Sequence, residues 1–477
     1  MRRHFPTLLA LVLMLAPALT RAERKEVHIL SANDMHANIQ AFPQLTAVAD
    51  SLRSLYPQLL ILSAGDNRTG EPLNDLYQPA AYPMVALMNQ VGFHATALGN
   101  HEFDSGPEGL ARLINLSTFS YLCANIEAAP GLKFHTRPCQ MFDVEGVKVG
   151  IVGVVQLGTH GIPDTHPDNC KGLSFTPAKE TVAQYEWMRK ECDVFILLSH
   201  VGYEGDVEIA QEMPWFDLIV GGHTHTQIDG GETHNGVLIT QNANRLNLVT
   251  HTTLVVEDGK VVEKKAENID VRNFPNENKV VADMVRFFSD NPEFYKDLTR
   301  LETPFTTYDQ LGCMMTDAFV AETGADIAIE NAGGIRYESH PAGSFTVSDV
   351  LRLDPFGNKA VLMELNGREL HDMIISCYEN DDHGFPSVSG IKCEVTFDKK
   401  DTLKIKKLAL FTPDGKKLNM KGTYRVVTNS YVASVADSPR RDQGEVINRQ
   451  TSDLIMEYLR KQPSINYEGV SRITFKK

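Results

Sequence analysis

Short apolar runs recur along the first half of the chain, at residues 27–30, 59–62, 95–98, 149–155, 194–198 and 218–220. Each is too short for a buried helix and suits a strand covered on both faces. Stretches with helical patterning lie between several of them, for example residues 80–91 and 177–191. Strands alternating with helices predict a layered α/β core. A polar stretch, Arg272-Asn273-Phe274-Pro275-Asn276-Glu277-Asn278, interrupts this pattern, and residues 280–288 read as one helix after it. The second half opens on a helical pattern at 309–322 and a strand at 327–329, and carries a turn at Pro413-Asp414-Gly415. The organisation expected is a first domain over 23–272, a linker helix within 273–300 and a smaller α/β domain over 301–477.

The N-terminal 22 residues stand apart. Arg2 and Arg3 precede an apolar run over residues 8–19, and small residues follow. This is the pattern of a secretory signal peptide, with cleavage after Ala18 or Ala22. The run is shorter than the roughly 20 residues that span a bilayer. No later segment is long and apolar enough to span, so the mature protein is expected in the periplasm or secreted, without a membrane span.

The 477 residues are 42% hydrophobic and 22% charged, an ordinary globular composition long enough for two domains. The formal charge of −15 repels polyanions and argues against a nucleic-acid polymer as partner. A small anionic substrate would need positive charge supplied locally, by metal or arginine. The seven cysteines include no C-x-x-C pair, which argues against a thiolate zinc site. An oxidising compartment permits disulfides, with Cys123–Cys139 and Cys377–Cys393 as candidate pairs; buried small hydrophobes are an equal reading.

Five of the apolar runs lead into metal-ligating side chains. The first reaches Asn33-Asp34-Met35-His36 and the second Gly65-Asp66. The third reaches Gly99-Asn100-His101-Glu102-Phe103-Asp104. The remaining two lead to Ser199-His200 and Gly221-Gly222-His223-Thr224-His225. Ligands at the carboxyl ends of strands converge in one crevice of an α/β sheet. Any one of these pieces is commonplace, but five in succession are not. Glu102 reads as support for its neighbours, and His28, His94, His251, His340 and His371 as structural. Imidazole and carboxylate donors suit zinc or manganese. Seven such groups exceed one tetrahedral site, so two divalent ions sharing a carboxylate is the economical arrangement. A pair of that kind clamps the attacking and leaving oxygens of an in-line displacement, most often phosphoester hydrolysis.

The series Asp34-x-His36, Gly65-Asp66, Gly99-Asn100-His101-Glu102-x-Asp104, His200 and Gly222-His223-Thr224-His225 resembles the calcineurin-like metallophosphoesterase signature. With Asn331-Ala332-Gly333-Gly334-Ile335-Arg336 and Asp354-Pro355-Phe356-Gly357-Asn358, the chain from about Val27 to its end resembles the 5′-nucleotidase family. That resemblance implies a layered metallophosphoesterase β-sandwich flanked by helices, followed by a smaller substrate-binding α/β domain. It implies that Asp34, His36 and His225 hold one metal, that Asn100, His200 and His223 hold the other, and that Asp66 bridges both. A metal-bridging hydroxide would attack phosphorus, while His101, oriented by Asp104, steadies the phosphate or leaving oxygen. Arg336 would contact the phosphate, Asn331 the base, and Phe356 would stack on the base, with Gly333 and Gly334 shaping the loop between them.

Two positions depart from the family pattern. Thr307 stands where an arginine is common, and Val435-Ala436-Asp437-Ser438-Pro439 fills the segment that usually ends in a second stacking aromatic. Asp442 is a candidate for a ribose-binding acid. The activity expected is release of phosphate from nucleoside 5′-monophosphates with broad base tolerance. The alternatives are a 2′,3′-cyclic phosphodiesterase and 3′-nucleotidase, a nucleotide-sugar hydrolase, or an inactive metal- or nucleotide-binding surface protein. The sequon Asn67-Arg68-Thr69 adjoins Asp66, where a glycan would block the site.

Overall fold

The computed structural model describes residues 24–132, 136–381, 383–399, 401 and 403–476. The expected signal peptide lies outside the described residues. The first domain is built on two six-stranded sheets. In one, the strands Lys25–Ala32, Leu60–Ser63, Ala95–Ala97 and Ser120–Leu122 run parallel. The antiparallel strands Leu248–Glu257 and Lys260–Asp270 extend it on the Lys25–Ala32 side. In the other, the parallel strands Val147–Val155, Val194–His200, Leu218–Val220 and Val237–Thr240 form the centre, with antiparallel edges.

Period-2 alternation explains the layering. Val27 and Ile29 enter an apolar layer shared with Val149, Ile151, Ile196 and Val220 of the other sheet. Leu30 and Ala32 point the opposite way, onto helices Phe42–Leu55 and Tyr82–Val91. Phe195 and Leu197 face a third layer with Ile209 of the helix Tyr203–Glu212. Helices thus cover the outer faces of a two-sheet sandwich.

The pattern at 177–191 forms two pieces, a helix Ala178–Ala183 and a 3₁₀ turn Glu186–Lys190. Val182 and Met188 both enter the same apolar layer. Six residues apart, they could not share one face of a continuous α-helix. The helix Lys279–Ser289 buries Val281, Val285 and Phe288 in the core of the first domain. It is therefore part of that domain's outer layer, and a hinge would lie after it.

The second domain has a five-stranded sheet ordered Ser387–Ser389, Ile327–Glu330, Thr423–Asn429, Lys359–Asn366, Glu445–Gln450. Ala328 and Val427 face the helices Tyr308–Thr323 and Thr451–Arg460. Ile329, Val361 and Val426 face the helix Gly367–Glu379. All seven cysteines are free, so neither candidate disulfide forms. Cys377 and Cys393 are core residues, and burial raises both thiols. No helix among the described residues is long and apolar enough to cross a membrane.

Candidate active site

Three of the ligand-bearing strand ends come from one sheet and two from the other, and the sandwich brings them together. Asp34, His36, Asp66, His223 and His225 all have positive φ, between 44° and 78°. L-residues seldom adopt that region, and such strain clusters where function demands a particular side-chain aim. At Gly222 a Cβ would come within 2.9 Å of His200 Nδ1 and 3.1 Å of the Ala64 carbonyl. Glycine there lets the chain pass over the ligands.

Donor atoms of Asp34, His36 and His225 lie within 4.8 Å of one another, as do those of Asp34, Asp66 and His200, and of His36, Asp66 and His101. His223 Nδ1 lies 3.1 Å from Asn100 Oδ1. His200 Nδ1 donates to the Ala64 carbonyl at 2.7 Å, leaving the lone pair on Nε2 in the neutral ring. That buried Nε2 has no hydrogen-bond partner and faces Asp66 Oδ2 at 3.2 Å. His36 Nδ1 lies 3.1 Å from the Thr69 carbonyl, and His36 Nε2 is 3.0 Å from His225 Nε2. Lone pairs aimed at carboxylates and at other imidazoles need a cation between them, so the donor set fits metal. Burial alone would lower His200, yet Asp66 and Asp34 outweigh it and push it up to about 10, a measure of how strongly these carboxylates draw positive charge, a proton or a metal, to Nε2. Burial lowers His223 to about 3, so it stays a neutral donor.

Glu102 anchors the cluster. One of its oxygens accepts from the backbone N–H groups of Asp66 and Gly99 at 2.9 and 2.6 Å, and the other from that of Asn67 at 2.9 Å. Asn67, the sequon residue, is buried and bonded to Thr96 and Glu102.

His101 Nδ1 lies 2.9 Å from Asp104 Oδ2. Thr69 and Thr165 hydroxyls donate to the same carboxylate at 2.7 and 3.0 Å. Burial would lower His101, but Asp66 and Asp104 raise it overall. The Asp104 carboxyl is held below its ordinary value because His101 and Arg68 outweigh burial.

The second domain closes over this floor. Arg336 Nη2 lies 3.3 Å from His101 Nε2 and 3.4 Å from His36 Nε2, while Arg336 Nε is buried without a partner. Phe356 stacks on His101 with ring centroids 5.7 Å apart. Asn331, Gly333, Gly334, Arg336 and Phe356 line one cleft with Asp66, Asn100, His101, His223 and His225. Asp34, His36 and His200 lie beneath it, fully buried.

Sequence reasoning missed Asn358, Asn380, Asp381, His383 and Tyr431, which line the same cleft. Asn358 closes the Asp354–Asn358 motif and could have been found there; the others carry no local signal. Pro439 is exposed and lies outside the cleft lining. Thr307 caps the helix Tyr308–Thr323. Asp442 does not reach the cleft: its oxygens accept from the Glu364 and Gly444 backbone N–H groups. These bonds tie the carboxylate to the Glu364 strand and to its own loop, away from the cleft lining, which corrects the ribose expectation.

Residues 27–227 match the calcineurin-like phosphoesterase family, and residues 290–439 match the 5′-nucleotidase C-terminal domain. The chain is 27% identical over 500 residues to the trifunctional nucleotide phosphoesterase YfkN of Bacillus subtilis. That alignment covers 91% of this chain and 34% of the relative, so the chain spans about a third of that protein's length. It is 28% identical to a 5′-nucleotidase of Vibrio cholerae over 441 residues, 80% of this chain and 77% of the relative. The fold superposes on a 5′-nucleotidase precursor from Thermus thermophilus with a TM-score of 0.84 at 23% identity. That superposition covers 94% of this chain and 99% of the other.

Proposed function

We propose that this chain, which joins a calcineurin-like phosphoesterase domain to a 5′-nucleotidase C-terminal domain, is a metal-dependent phosphohydrolase that releases phosphate from nucleoside 5′-monophosphates with broad base tolerance, outside the cytoplasm. Two divalent ions fit the donors, with Asp34, His36 and His225 for one, Asn100, His200 and His223 for the other, and Asp66 for both. When bound, such a pair supplies Lewis-acid stabilisation and water made acidic enough to act as nucleophile near neutrality.

One observation carries the proposal. Arg336 reaches across the domain boundary with its Nε buried and unpartnered, beside His101 and the metal donors. A buried guanidinium whose Nε has no acceptor, and whose Nη1 reaches only the Gly333 carbonyl at 3.4 Å, calls for an anion, and its planar fork suits phosphate. His101, kept in one tautomer by Asp104, is placed to hand a proton to the leaving oxygen or to steady the phosphate. Phe356 offers a ring to a base, and Tyr431 stands in the same cleft wall. The nucleotide activities in the names of the Bacillus and Vibrio relatives support the same substrate class. The Bacillus relative's name, a trifunctional nucleotide phosphoesterase, also supports the broader reading, that more than one kind of nucleotide phosphoester is taken.

The test is phosphate release from a panel of nucleoside 5′-monophosphates, 3′-monophosphates and 2′,3′-cyclic phosphates, with and without chelator. Chelator-sensitive release from the 5′-monophosphates is expected. Release only from the cyclic esters would replace this reading with the phosphodiesterase one. No release from any ester in the presence of zinc or manganese would leave a binding protein.

A further inference from the structure

The cleft holds a second imidazole anchored by a carboxylate, contributed by the second domain. Asp381 Oδ1 accepts from the His383 backbone N–H at 2.9 Å and lies 3.1 Å from His383 Nδ1. Asp381 Oδ2 accepts from Asn331 Nδ2 at 3.0 Å and from the Gly333 N–H at 2.8 Å. The carboxylate is 5% exposed, while the His383 ring is 48% exposed. The arrangement repeats that of His101 on Asp104, where the corresponding distance is 2.9 Å. In both pairs the carboxylate keeps a proton on Nδ1 and turns Nε2 outward.

The position in the cleft limits what His383 can meet. The reacting phosphate must lie on the floor, against the metal donors, His101 and Arg336. The leaving group then extends along the wall formed by Phe356, Asn358, Asn380, His383 and Tyr431. A second phosphate there would face the carboxylates of Asp381 and Asp164, which line the same space. A hydroxyl both donates and accepts, so it can meet Nε2 in either protonation state and the amides of Asn358 and Asn380 as well. Thr159 of the first domain donates to Asn380 Oδ1 at 2.7 Å, so contact between the domains holds this wall in place.

Building on the nucleotide reading, we propose that His383 is a specificity-determining residue that hydrogen-bonds a sugar hydroxyl of the leaving group, and that Asp381 is the positioning residue that aims it.

The experiment compares kcat/KM for a ribonucleoside 5′-monophosphate and its 2′,3′-dideoxy analogue. The parent should favour the ribonucleotide about tenfold, the scale of one hydrogen bond. His383→Ala should bring that ratio close to one, chiefly through KM, and His383→Gln should retain part of it. Asp381→Asn should also lower the ratio, because the ring loses the acceptor that orients it. Thermal melting of each variant monitors folding, and the half-exposed His383 site allows both of its substitutions to fold. A parent ratio near one, or a ratio unchanged in His383→Ala, overturns the proposal. Equal losses on both substrates overturn it too, in favour of a proton-transfer role. A parent inactive on both nucleotides yet active on other phosphoesters would instead refute the nucleotide reading beneath it.

Discussion

Arg336 Nη2 lies 3.3 Å from His101 Nε2, although 235 residues separate them and they belong to different domains. Their contact marks the space that a phosphate would enter. Arg336→Ala should raise KM for phosphomonoesters and weaken inhibition by inorganic phosphate, together lowering kcat/KM about 100-fold, or about 3 kcal/mol, the upper range for a charged hydrogen bond. Arg336→Lys should recover only part of this, because a single ammonium cannot form the paired bonds of a guanidinium. Steady-state kinetics with phosphate as inhibitor measures both.

Substitutions at Asp66 and His101 should separate metal binding from chemistry. Asp66→Asn should remove most bound metal, since one carboxylate is shared between two ion positions. His101→Ala should keep its metal and lose about 10²–10⁴ in rate, the usual range for an acid–base group. Metal content by elemental analysis, measured beside turnover, tests the division. Equal metal loss in both variants would make His101 a ligand, as its proximity to His36 and Asp66 allows.

Glu102 has no contact with substrate in this reading, yet it holds the ligand loops. Glu102→Ala leaves the backbone N–H groups of Asp66, Asn67 and Gly99 without acceptors. At about 1–3 kcal/mol for each buried unpaired group, the variant should lose at least about 3 kcal/mol of stability and bind metal more weakly. Chemical denaturation with and without zinc would show both losses.

Asp206 sets a pH dependence of stability. Burial, only partly offset by Ser199 and His200, pushes its carboxyl up to about 8, and neither oxygen has a hydrogen-bond partner. The folded state therefore binds a proton that the unfolded state has released. Its contribution is fully present below about pH 4 and is lost as pH rises to about 8, with a slope of up to about 1.4 kcal/mol per unit. Asp206→Asn should remove that slope. Its melting temperature should exceed the parent's at pH 9 and approach it at pH 4.

The domains meet where Thr159 bonds Asn380, and where Arg352 lies 3.2 Å from the buried Glu71. These contacts hold the second domain over the metal donors, so substrate entry and product exit should each require it to move. Cysteines at 159 and 380, once oxidised, should trap the closed state and stop turnover, and reduction should restore it. Full activity in the oxidised protein would mean a fixed cleft.

The candidate metal donors were legible in the sequence because their signal is local. Asp34, Asp66, Asn100, His200 and His223 each follow or end a short apolar run, and glycines precede several of them. Coordination demands these residue types, and a layered α/β fold places them where strands end, so spacing along the chain carries both facts. The loops bearing Arg336 and Phe356 were visible only through their resemblance to the motifs of the 5′-nucleotidase family. What the sequence left open was the rest of the cleft lining. Asp381 and His383 sit in an ordinary polar loop, and Tyr431 in a six-residue helix. Nothing in their neighbours marks them, because their role arises only when Asp381 meets Asn331, 50 residues away, and when the second domain folds down over the first. The helix Lys279–Ser289 shows the same limit from the other side. Its apolar face was evident, but only packing decided that Val281, Val285 and Phe288 join the first domain's core. Residue chemistry at strand ends is written in short stretches of chain, whereas a substrate wall is made of contacts between distant segments, whose geometry exists only in the folded protein.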